Sequence, residues 1–140
     1  MATAASPENS MTVRKILALG ALRAGFALGG VLAPRWTARK AARLFATPFA
    51  SSRSRARAAQ LDADVQTLNL HSGGKKVATY VWGNPATQPY ALLAHGWSSF
   101  GLRFQSWVGR LRTFGYAVVA FDQPGHGHSG GDICTLPEFA

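Results

Sequence analysis

From Tyr90 to Ser129 the chain reads YALLAHGWSSFGLRFQSWVGRLRTFGYAVVAFDQPGHGHS, and this stretch decides the fold. Tyr90 to Ala94 and Tyr116 to Phe121 are uninterrupted apolar runs, the pattern of strands covered on both faces of a parallel sheet. Between them Phe104, Trp107, Val108, Leu111 and Phe114 recur at helical spacing, and Gly115 is placed to end that helix. Strand, helix and strand with short joints make a βαβ unit, whose crossover is right-handed almost without exception.

Upstream, Val65, Thr67, Asn69 and His71 alternate with Gln66, Leu68 and Leu70, Ser72-Gly73-Gly74 makes a turn, and Lys76 to Trp82 alternates again through Val77, Thr79 and Val81. This predicts a hairpin. An antiparallel hairpin leading into a parallel βαβ sheet places the chain in the α/β class. A hydrophobic content of 47% suffices for a core of one modest domain. Cys134 is the single cysteine, so an intrachain disulfide is excluded, and no Cys/His spacing suggests a metal site. No metal and no cofactor are expected.

The net charge of +9 belongs entirely to residues 1–60, where ten Lys/Arg face only Glu8; residues 61–140 hold five of each sign. The chain therefore divides into a basic helical leader with its connector, 1–60, and an α/β part, 61–140. Within the leader, Met1 to Ser10 is small and polar and predicts an unstructured terminus. Ile16 to Ala33 is apolar over 18 residues, the minimum for a membrane span. Arg23 near its centre, the glycines Gly20, Gly25, Gly29 and Gly30, and the poor cleavage context Ala33-Pro34 argue against spanning or export. They favour a helix lying on an anionic membrane surface through residues 14–57, ahead of one packed on its own domain. That implies a cytoplasmic protein, peripheral at the inner membrane face. Thr47-Pro48 breaks the helical pattern, and Ser51 to Ala59 reads as a solvated connector or an exposed helix face without a partner. Nucleic acid is not an expected partner, because the basic residues lack stacking aromatics or a recognised module.

The chemistry sits at the ends of the two apolar strands. His95-Gly96-Trp97 follows the first, at the sheet edge where open α/β sheets bind ligands, and glycine allows a sharp turn that aims amide groups into a cleft. Asp122-Gln123-Pro124-Gly125-His126-Gly127-His128-Ser129 follows the second as a tight, rigid loop. Together, across one helix and one strand, these motifs over residues 61–140 resemble the α/β-hydrolase superfamily. Their spelling is most similar to the branch of monoacylglycerol lipases, lysophospholipases and esterases.

The resemblance implies a serine hydrolase acting on a small-molecule acyl ester. It gives the oxyanion role to the backbone N–H of Trp97, the shaping of that turn to His95 and Gly96, and a structural loop to Asp122, Gly125, Gly127 and Ser129. Gly127 to Gly131 also spells G-x-S-x-G, yet no strand enters Ser129 and no helix leaves it, as a nucleophile elbow demands. By the superfamily's order the elbow, the acid and the base histidine all follow residue 140, so the resemblance implies an inactive fragment. His71 is read as a surface residue, and His126 and His128 as loop-stabilising or pocket-lining. Trp97 and Trp107 border an acyl site or pack in the core. The superfamily's strand order further implies an open edge along Tyr90 to Ala94, and an insoluble or molten chain when expressed alone. Alternatives from other classes are a membrane-surface or interaction protein that keeps part of the scaffold, and epoxide hydrolase, dehalogenase or aminopeptidase chemistry on the same fold.

Overall fold

The computed structural model describes residues 13–139. The reading of Met1 to Ser10 as an unstructured terminus falls outside them. The chain divides into two compact units, Met1–Ala42 and Arg43–Ala140.

In the first unit, helix α1 spans Val13–Leu32 without a single buried residue. Its glycines do not interrupt it. Gly29 allows a close approach instead, because a Cβ there would lie 2.6 Å from Thr37 Oγ1. Helix α2, Pro34–Ala46, starts on a proline at its first position, where the missing N–H costs nothing, and it runs across the division between the units. It ends just before Thr47-Pro48, as the sequence predicts.

In the second unit, helix α3 covers Ser51–Ala58. Strands β1, Gln66–Ser72, and β2, Lys75–Trp82, form the expected hairpin. Its two-residue link is Gly73-Gly74, with φ of 56° and 74°; positive values at both positions match the right-handed twist of paired strands. Strand β3, Tyr90–Ala94, is followed by a 3₁₀ turn, Gly101–Phe104, and helix α4, Gln105–Thr113. Strand β4, Ala117–Phe121, and the short helix α5, Leu136–Phe139, complete the order. The sheet order is β1-β2-β4-β3, with β2 antiparallel and β3 parallel to β4. The core joins Ala78, Tyr80 and Trp82 of β2 to Val118 and Ala120 of β4, closed by Leu102 and Val108.

Two expectations need correction. Strand β3 lies at the sheet edge, as the superfamily's strand order implies, but it is not covered on both faces: it alternates, with Tyr90 57% and Leu92 59% exposed. The α4 pattern contributes less core than its periodicity suggests, since only Val108 is fully buried on α4 while Trp107 and Phe114 stay exposed. Gly115 does end the helix, at φ 81°, with Gly115 N–H donating to Arg112 O and Tyr116 N–H to Leu111 O, the paired bonds of a glycine-terminated helix.

Candidate functional site

The register of the parallel pair places Ala94 opposite Phe121, so the two glycine loops leave the same end of the sheet side by side. They are tied to each other by a reciprocal exchange. His95 Nε2, from the first loop, accepts Gln123 N–H at 3.0 Å, and His126 Nε2, from the second, accepts Ser98 N–H at 3.1 Å. Each ring's Nδ1 sits against a carbonyl of its own loop, Gly96 O at 2.8 Å and Pro124 O at 3.0 Å. This geometry requires both rings neutral with the proton on Nδ1. Burial lowers the pKa of both, which agrees with that state.

Asp122, fully buried, is the centre of the second loop. Its Oδ1 accepts Gly101 N–H at 2.6 Å, and its Oδ2 accepts the Tyr80 hydroxyl at 2.8 Å and His128 N–H at 2.7 Å. Burial, and then the Asp122 charge, pushes the Tyr80 phenol far above its ordinary value. Gly127 lies against the carboxylate, and a Cβ there would collide with Asp122 Oδ2. Gly125, at φ 77°, faces the Ile133 backbone, which a Cβ would meet at 3.1 Å.

Ser129 is buried to 1% exposure. Its hydroxyl donates to Asp122 O at 2.6 Å and accepts Ala78 N–H at 2.8 Å, so it staples the loop to β2. The next helix begins only at Leu136. His71 lies exposed on β1. His126 is enclosed, whereas His128 lines a cleft of about 400 Å³ with Tyr80, Ala78 and Leu102, its Nδ1 2.9 Å from the Tyr80 hydroxyl. A hollow of about 540 Å³ opens at Gly96, walled by Arg103, Phe104, Ser106 and Trp107, which places Trp107 outside the core. Among the described residues no group of His, Cys, Asp or Glu could hold a metal ion.

Trp97 is 38% exposed, its ring stacked on Phe45 at 6.2 Å and edge-on to His126 at 5.2 Å. Ser98, next to it, has φ 53°, unusual for a residue with a side chain. Its hydroxyl accepts Phe49 N–H at 2.9 Å and its carbonyl accepts Arg55 Nη2 at 2.7 Å. Arg53 Nη1 donates to Ser129 O at 3.1 Å, and Nη2 to Gly131 O. The segment expected to be a solvated connector or an unpartnered helix face is therefore a docked helix. Its small residues Ser52 and Ala56 are fully buried, and its arginines reach loop carbonyls. The spacing of those two small residues, four apart, was the available signal; nothing in the sequence marked Ser98.

A mixed sheet with a βαβ unit and two braced glycine loops at one strand end agrees with part of an α/β-hydrolase fold. More particularly, residues 86–140 match the family model for serine aminopeptidase, S33, a member family of that superfamily. No curated protein matches the chain. Among solved structures, a thioesterase domain from the curacin biosynthetic pathway shares 36% identity over 47% of this chain, with a TM-score of 0.44. The chain spans 23% of that domain.

Proposed function

We propose that the chain supplies the oxyanion side of a serine esterase or lipase-like hydrolase acting on acyl esters, with the nucleophile, acid and base elsewhere in the complete protein. The observation that carries this reading is the reciprocal histidine brace, which holds the Trp97 turn against the second glycine loop at the carboxyl ends of two parallel strands. A tetrahedral intermediate needs amide donors that do not move as charge develops, and a braced turn supplies them. In this reading the Trp97 N–H is the donor, His95 and Gly96 shape the turn, and the Asp122–Ser129 loop is its abutment.

The test uses the complete protein, a nitrophenyl ester and a fluorophosphonate that labels activated serines. Ester turnover with labelling is expected, and Ser129→Ala should keep both. Loss of about a million-fold in kcat on that substitution, the scale for a triad nucleophile, would move the nucleophile to Ser129. The family match favours a second reading, cleavage of an amino-terminal peptide bond. Turnover of aminoacyl nitroanilides with no ester hydrolysis would select it.

For residues 14–57, in particular α1 and α2, we propose an anionic membrane surface on the cytoplasmic side. Support comes from α1, which has no buried residue and is long and apolar enough by composition to cross a membrane, and from Arg35, Arg39, Lys40 and Arg43 on α2.

A further inference from the structure

Every polar group of Ser98 is held by a different part of the fold. The second glycine loop takes its N–H through His126, the turn before α3 reaches its hydroxyl through Phe49 N–H, and α3 reaches its carbonyl through Arg55. A left-handed φ at a serine is strained and persists only where the surroundings over-determine it. Ser98 directly follows Trp97, so the conformation held there sets the peptide plane beside the proposed oxyanion donor.

Of the three restraints, Arg55 is the strongest by kind. It is a charge-assisted bond at 2.7 Å, from a guanidinium that also lies over the Phe100 ring at 5.7 Å. Two residues earlier on the same helix, Arg53 holds the carbonyls of Ser129 and Gly131 in the opposing loop. A single helical turn thus grips both walls of the site. We propose that Arg55 is a positioning residue for the oxyanion turn and that α3 is a clamp across the two loops. The inference rests on the hydrolase reading for its catalytic consequence, though not for its structural one.

Without Arg55, Ser98 can relax towards negative φ, rotating the peptide that joins it to Trp97. The donor would then sit off the line on which charge develops, a loss felt in kcat rather than in ground-state binding. Lysine keeps the charge but lacks the fork that bonds a carbonyl while lying flat on a ring.

The experiment compares Arg55→Ala, Arg55→Lys and, as a control on the exposed face of α4, Arg110→Ala in the complete protein. Two readouts are taken: ester kinetics and amide hydrogen exchange resolved to single residues. Arg55→Ala should lower kcat by about ten- to a hundredfold with KM within about twofold, below the 10²–10³ loss expected for deleting a donor outright. Exchange at Trp97 and Ser98 should rise at least about tenfold while amides of β2 and β4 keep their protection. Arg55→Lys should fall between, and Arg110→Ala should match the unsubstituted protein. Unchanged exchange at Trp97 and Ser98, or a rise equal to that in β2 and β4, would overturn the clamp. If the unsubstituted protein turns over neither esters nor aminoacyl anilides, the hydrolase reading falls, and the exchange comparison still judges the clamp by itself.

Discussion

Asp122 accepts three hydrogen bonds with a fully buried carboxylate, and Gly127 is the residue that leaves it room. A methyl group at position 127 would collide with both carboxylate oxygens and would also sit at φ 46°, where L-residues are strained. Gly127→Ala is therefore expected to cost about 2–5 kcal/mol, combining backbone strain with overpacking. Urea unfolding of the complete protein should show it as a lowered midpoint at unchanged slope. A cost under about 1 kcal/mol would mean that the loop relaxes freely.

The histidine brace gives a second expectation at this scale. Protonating either ring removes the Nε2 lone pair that receives the opposing loop's amide, and burial already holds both pKa values below the ordinary one near 6.5. For a base whose folded pKa is depressed, the unfolded chain takes up the proton first as pH falls. Stability should thus be level above about pH 7 and decline below about pH 6.5. Asp122 opposes the depression at both rings, while Arg103 adds to it at His95 and Arg53 at His126. Thermal melts across this range, repeated with His95→Gln and His126→Gln, check the assignment. Each substitution should flatten the acid limb, and an unaltered limb in both would place the titration elsewhere.

At the scale of elements, the βαβ unit was legible because its apolar runs and its helix repeat are long, and because Gly115 terminates α4 as glycine is suited to do. The hairpin was legible from Gly73-Gly74 for the same kind of local reason. The open edge of Tyr90 to Ala94 followed from the superfamily's strand order, but the exposure of its faces was not legible, since neighbours and not the apolar run itself decide it. Helix α3 was misjudged because arginine normally marks a solvated face, and only the tertiary arrangement brings carbonyls within reach of Arg53 and Arg55. Of the site, the strand-end motifs could be read directly, whereas Ser98, Phe45 and Phe49 carry no local signature.

The exposed edge of β3 has a measurable consequence. Unpaired amides beside exposed Tyr90 and Leu92 form a template for another strand. The 140-residue chain is expected to self-associate through it, and Leu92→Lys should raise the monomer fraction in sedimentation velocity. Equal association in both forms would direct attention to α1 instead.

For the molecule as a whole, the basic charge of α1 and α2 is the feature that the two loops of the site do not use. The +9 resides in the first 60 residues, while the α/β part is neutral. In α2, Arg35, Arg39, Lys40 and Arg43 accompany Trp36, with Lys40 over its ring at 5.2 Å, a combination suited to the boundary between headgroups and acyl chains. Each basic residue near an anionic surface contributes about 1 kcal/mol. Replacing Arg35, Arg39 and Arg43 with glutamine should then weaken binding by about 3 kcal/mol, on the order of a hundredfold. Vesicle flotation of the chain with anionic and with neutral lipid measures this directly. Surface attachment predicts flotation with anionic vesicles only, release by high salt as the charges are screened, and loss in the triple variant. Flotation that survives both salt and carbonate washing would show that α1 crosses the bilayer despite Arg23. Failure to float with either lipid would leave α1 and α2 without a membrane role.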